Sequence, residues 1–240
     1  MTLKVISKLQ DGTWLYLDRI LGVVFLCLKP DANRVYVMGD SHTLVFQRRA
    51  GVMSRHLGPI TLNRFGREGE AKDLFKTAFS WPRRLRWIPF PTPKESNTIV
   101  LSFGEIDIRA HVDRISRERN MEHSDVIHGL ADSAIRGISE IRKMTNARIV
   151  FLAPPPPAKH FLDEKFPTGG SFDERVKWMN ELKLVLSSHI SEIDGGAVFF
   201  CDLAHRFETA DGDLKPEFSD GTVHYARAVG SQLLARILSL

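Results

Sequence analysis

Two kinds of hydrophobic pattern alternate along this chain. The first is a short apolar run, rich in β-branched and aromatic residues, that stops at glycine or proline. Val35-Tyr36-Val37-Met38 stops at Gly39, Thr98 to Phe103 stops at Gly104, and Arg148 to Ala153 stops at Pro154-Pro155-Pro156-Pro157. Ala197 to Cys201 is a further run of this kind, and Leu57 to Gly66, bracketed by glycines, reads as the second strand in chain order. Such runs predict buried strands. The second pattern repeats every three or four residues and predicts helices that bury one face. It covers Glu70 to Phe79, and a helix opened by Ser124 that carries Ile127, Leu130, Ala134, Ile138 and Ile141 to an end near Asn146. It returns after Ser171, which has the capping-box spacing to Glu174, with Phe172, Val176, Met179, Leu182 and Leu186 on one side, and in Ala226 to Leu240. Thr43 to Met53 is also read as a helix.

Strands that alternate with helices predict a parallel sheet covered on both faces. The expectation is one three-layer α/β/α domain over residues 35–240 with a five-stranded parallel sheet. Residues 1–34 form an extension whose apolar part packs on that domain. A chain of 240 residues is long enough for one well-buried core.

Composition narrows the function classes. A net charge of +4 without a long Lys/Arg tract gives no sign of a nucleic-acid partner. Cys27 and Cys201, the two cysteines, lie apart in apolar runs and read as buried thiols, and the histidines His56, His123, His128, His160, His189 and His205 show no ligand spacing. No metal or cofactor is therefore expected. The apolar segment Ile20 to Leu28 is too short to span a bilayer and runs into Lys29-Pro30-Asp31, so the expected location is cytoplasmic. Membrane contact through Trp14 to Leu28, or through the basic and aromatic Trp81 to Trp87 segment, is an open alternative.

The chemistry-bearing residues lie where strands end. Ser41 follows the first strand, at the side of an open α/β sheet that holds ligands. Asp220 and His224 share one short loop before the last helix. A hydroxyl, an imidazole to move its proton and a carboxylate to orient that imidazole are the parts of a serine hydrolase. Each motif alone also reads as a helix cap.

Together these blocks resemble the SGNH, or GDSL-type, hydrolase superfamily. Gly39-Asp40-Ser41-His42 matches its first block, with His42 in the place of leucine. The resemblance implies a flavodoxin-like α/β/α fold, Ser41 as nucleophile and the Ser41 N–H as one oxyanion donor. It gives Gly66, with Gly58 as the fallback, as the second-block glycine that donates beside it. The third block, Gly-x-Asn-Asp, is matched by Gly104-Glu105-Ile106-Asp107, which puts Ile106 where a donor asparagine is expected. Asn63, Arg109 and His111 are candidates to replace that donor. Gly104, Asp107, Arg109 and His111 are the further candidate oxyanion and substrate-binding residues, with Arg109 and His111 alternating along an extended segment. The last block, Asp-x-x-His, is matched by Asp220 and His224 with one extra residue between them. His224 is then the general base, oriented by Asp220 or instead by a backbone carbonyl, Asp213 or Glu217. The run Ala153 to Pro157 is similar to the proline-bearing loop of these enzymes.

The resemblance implies an esterase that acts through a Ser41 acyl-enzyme on a small ester or an O-acylated carbohydrate. The alternatives are a glycan O-acyltransferase that uses the same residues and a non-catalytic carbohydrate- or partner-binding domain.

Overall fold

The structure, a computed structural model, describes residues 34–47, 49, 51–80, 93–159, 167–193 and 196–240. The expected extension 1–34, with Cys27, and the Trp81–Trp87 segment fall outside these residues apart from Arg34. Five parallel strands, β1 (Val35–Gly39), β2 (Val52–His56), β3 (Thr98–Ser102), β4 (Arg148–Leu152) and β5 (Val198–Cys201), lie in the order β2-β1-β3-β4-β5. The chain turns outward from β1 to β2 and then crosses back to β3. The topological switch point of the sheet therefore lies beside β1, where α/β proteins open their ligand crevice.

The helices are α1 (Leu62–Phe65), α2 (Glu70–Ala78), α3 (Val112–Arg119), α4 (His123–Arg142), α5 (Phe172–Ser191), α6 (Ala204–Phe207) and α7 (Val229–Leu238). Alternation along the strands sends Tyr36, Met38, Ile99, Leu101, Ile149 and Phe151 to one face, where residues of α1 to α5 bury them. Val35, Val37, Val100, Val150 and Leu152 go to the other face, against Phe46, Phe207 and α7 residues Val229, Leu233 and Ile237. Both faces are covered, which is why β1 and β3 are buried at every position. At Gly39 an added Cβ would lie 2.0 Å from the Ser102 carbonyl oxygen, so only glycine lets β1 and β3 approach at the site end.

Three sequence expectations change. Thr43 to Met53 is not a helix: Ser41–Phe46 is a six-residue 3-10 turn, and Val52–His56 is β2. β2 is an edge strand that pairs with β1 alone and is only half buried, so it lacks the continuous apolar run of a central strand. Leu57 to Gly66 is not a strand, because Gly58 sits at φ +84° and the Thr61 side chain accepts the Arg64 N–H to cap α1. Its apolar residues Leu62 and Phe65 reach the core three positions apart, the spacing of a helical turn. Ser124 does not cap α4, which starts at His123 and ends at Arg142; its hydroxyl donates to Glu181 on α5. The capping box at Ser171 and Glu174 forms as expected, and Trp178 on the same helix is buried.

Candidate active site

Ser41 opens the 3-10 turn directly beyond β1. Asp40 fixes that turn from its N-cap position, where its Oδ1 accepts the His42 N–H at 3.0 Å while the Thr43 hydroxyl donates to the Asp40 carbonyl at 2.9 Å. The serine hydroxyl therefore stands on a short, doubly tied turn at the crevice, half-buried.

The loop between Phe218 and Ala226 brings His224 to it. Ser219 and Tyr225 form an antiparallel bridge, Asp220 N–H donates to the His224 carbonyl at 3.1 Å, and Gly221 turns the chain at φ +88°. His224 Nε2 lies 2.7 Å from Ser41 Oγ across 183 residues of sequence.

The extra residue between Asp220 and His224 is absorbed by Thr222, which sequence reasoning missed. Asp220 Oδ1 accepts both the Thr222 N–H at 2.9 Å and the Thr222 hydroxyl at 2.6 Å. With its proton committed there, the Thr222 oxygen is left to accept from His224 Nδ1, 2.8 Å away. The chain of donors fixes the imidazole as the Nδ1–H tautomer and leaves Nε2 as an acceptor for the serine proton. Asp220 itself is 3.5 Å from Nδ1 and partly exposed, so it acts mainly through the threonine. The other proposed orienters are placed elsewhere: Asp213 Oδ1 accepts the Lys159 N–H, and Glu217 is exposed on the 3-10 turn Pro216–Phe218.

His42, where the family pattern has leucine, is the other residue whose role the sequence did not disclose. Its Nδ1 donates to Asp40 Oδ1 at 2.8 Å, its Nε2 faces the Val223 carbonyl at 3.3 Å, and its ring centroid is 4.8 Å from that of His224. Burial works against its charge, but the Asp40 carboxylate and, further off, Glu105 outweigh it and lift the His42 pKa to about 9. Burial and the positive His42 push His224 the other way, to about 4, against the pull of Asp220 and Asp40.

The third-block residues are sorted by the structure into support and surface. Gly104, at φ +112°, turns the chain out of β3 beside Pro154, whose Cγ would lie 3.0 Å from an added Cβ. Asp107–His111 is a single π-helical turn, so Arg109 and His111 do not alternate on an extended segment. Arg109 instead grips Glu105 through two nitrogens, at 2.6 and 3.2 Å, and donates to the Pro167 carbonyl at 2.8 Å. That buried fork engages each of the guanidinium nitrogens with a protein oxygen. Asp107 is fully buried and accepts the Leu62 N–H at 2.8 Å, which ties the loop after β2 to the loop after β3; burial raises its pKa. His111 lies half-exposed, its Nδ1 3.6 Å from Asp107 Oδ1. Asn63 is exposed on α1.

Gly66 does not fit the donor role expected of it. Its N–H donates to the Leu62 carbonyl at 2.9 Å to close α1, and an added Cβ would meet the α4 backbone at Ser133, so its glycine serves helix packing. Gly58 is better placed. Gly39 pairs with His56 and its carbonyl accepts the Leu57 N–H at 2.9 Å, so Gly58 follows immediately at the end of the strand beside Ser41.

Among the described residues no group of three His, Cys, Asp or Glu side chains could hold a metal ion, and no helix is long and apolar enough to cross a membrane. Cys201 is a buried thiol whose pKa burial raises to about 11.

The parallel sheet in the order β2-β1-β3-β4-β5, covered by helices on both faces, is the three-layer α/β/α fold that the resemblance led us to expect. No family model matches the sequence, and no curated protein does. Solved structures of this fold do. A Streptococcus pneumoniae protein described as a platelet activating factor superposes with a TM-score of 0.55 at 14% identity, over 99% of this chain and 98% of its own. The acetyl-xylooligosaccharide esterase Axe2 of Geobacillus stearmophilus, as an R55A mutant, gives 0.51 at 12% identity over 86% and 92%. A GDSL-like lipase of Bacteroides thetaiotaomicron gives 0.50 at 14% identity over 86% of each chain.

Proposed function

We propose that this protein is a serine esterase in which Ser41 is the nucleophile and His224 the general base. The observation that carries the reading is the 2.7 Å contact between Ser41 Oγ and a His224 Nε2 whose other nitrogen is committed to Thr222. As Ser41 Oγ bonds to the ester carbonyl carbon, its proton passes to Nε2. When the tetrahedral intermediate collapses, the alcohol leaves with that proton and the acyl group stays on Ser41. A water then attacks the acyl carbon, gives a proton to Nε2, and the carboxylic acid departs as Ser41 recovers the proton.

The oxyanion would lie against the N–H of Ser41, at the first position of a helical turn where no intrahelical acceptor exists, and that of Gly58. Ile106, half-exposed after Gly104, offers no side-chain donor there. The substrate class we favour is a small O-acyl ester on a carbohydrate. The fold similarity to the acetyl-xylooligosaccharide esterase supports that choice.

Hydrolysis of p-nitrophenyl acetate and of acetylated xylooligosaccharide tests both levels. Wild type is expected to release acetate from each, and Ser41→Ala and His224→Asn to lose at least about 10³-fold in kcat. Wild-type rates in Ser41→Ala would end the nucleophile assignment, and activity on the aryl ester alone would end the carbohydrate assignment.

A further inference from the structure

We propose that His42 is a positioning residue held as an imidazolium: it anchors the His224 loop through the Val223 carbonyl and, by its fixed charge, keeps His224 unprotonated in acid. The inference rests on the esterase reading and adds to it a pH range and a second histidine.

The geometry carries it. His42 is buried, and both of its ring nitrogens face oxygens that can only accept: Asp40 Oδ1 at 2.8 Å and the Val223 carbonyl at 3.3 Å. Neutral imidazole carries one N–H, so it would leave one of these pairs as two facing acceptors. Imidazolium satisfies both, with the Asp40 carboxylate as counter-ion. Val223 precedes His224, so the Nε2–H bond fixes the chain next to the base. The two rings lie 4.8 Å apart, close enough for a second positive charge on His224 to be disfavoured.

The charges around the pair come from three elements. His224 is faced by Asp220 on its own loop, by Asp40 and His42 on the Ser41 turn, and by Arg109 on the π-turn. His42 is faced by Asp40 and by Glu105, which also holds Arg109. Asp40 and Asp220 favour protonation of His224; His42 and Arg109 oppose it, together with burial. Removing only the His42 charge leaves both carboxylates in place and lets His224 become more basic. Since hydrolysis needs neutral His224, the acid limb of kcat/KM must then move to higher pH.

Gln and Leu at position 42 separate the two roles. Glutamine can still donate to the Val223 carbonyl and carries no charge, whereas leucine, the residue of the family pattern, does neither. For p-nitrophenyl acetate hydrolysis, both His42→Gln and His42→Leu are expected to raise the acid limb by at least about one pH unit, and only His42→Leu to add a further fall in kcat on the plateau. An acid limb unchanged in His42→Gln would overturn the charge role. Nitrogen NMR of the histidine rings in the unmodified protein tests the same claim without a variant or a substrate. Two protonated nitrogens on His42 at pH 7 support it, and a neutral His42 overturns it even if Ser41 proves to be the nucleophile. Failure of Ser41 to react in wild type would instead count against the esterase reading.

Discussion

Thr222 carries the difference between this site and the pattern its sequence resembles. With one extra residue in the loop, the Asp220 carboxylate stands back at 3.5 Å from His224 Nδ1, and the threonine hydroxyl fills the gap at 2.8 Å. A hydroxyl can relay orientation because it accepts from one partner while donating to the other. Thr222→Val should therefore lower kcat by about 10- to 100-fold with KM little changed, and Thr222→Ser should recover most of the loss, as steady-state ester hydrolysis would show. Full activity in Thr222→Val would show that the hydroxyl does not orient His224, and a loss in Thr222→Ser as large as that in Thr222→Val would show that the hydroxyl alone does not suffice. The sequence pointed to the irregular spacing as a weakness in the triad but not to its remedy, because a Thr two residues before a His is unremarkable without the loop geometry. His42 was visible as a departure from leucine, yet the Val223 carbonyl that its Nε2 faces is 181 residues away.

Among the elements, the strands that were legible are those with apolar residues on both faces. β1, β3, β4 and β5 begin and end within a residue or so of their hydrophobic runs. β2 was missed because an edge strand needs no such run, and its Met53, Ser54 and Arg55 carry little apolar signal. The error spread: with β2 placed too late, the glycine after it was taken to be Gly66 when the strand in fact ends beside Gly58. The segment Gly104 to His111 was misjudged for another reason. Its alternation of charged and apolar residues fits a strand, but the i,i+4 pair Glu105 and Arg109 closes on a helical turn. That pair is nearly excluded from solvent, at 5% and 8% exposure of the two side chains, so removing one partner leaves the other's charge buried. Glu105→Ala is expected to cost about 3–5 kcal/mol in urea unfolding. A loss below about 1 kcal/mol would show that Arg109 finds solvent or another acceptor instead.

Over the whole molecule, the alternation of strands and helices was enough to predict a parallel sheet in a three-layer fold, and the fold of the three solved structures agrees. What pattern could not supply is the meeting of chain ends. Ser41 and His224 come from opposite ends of the domain in sequence, and they meet because the last loop packs over the carboxyl end of β1, an inner strand of the sheet. The core is divided by the sheet into two clusters, and the site sits at their common edge, on turns braced by Asp40, Asp107 and the Glu105–Arg109 pair.

The most direct test of this account is the reaction of the protein with a fluorophosphonate, read by intact mass and peptide mapping in wild type, Ser41→Ala and His224→Asn. One adduct on Ser41 in wild type, none in Ser41→Ala and reaction slowed by at least about 10²-fold in His224→Asn is the predicted result. No adduct in wild type, or equal labelling of wild type and Ser41→Ala, would contradict the claim that this crevice holds an activated serine.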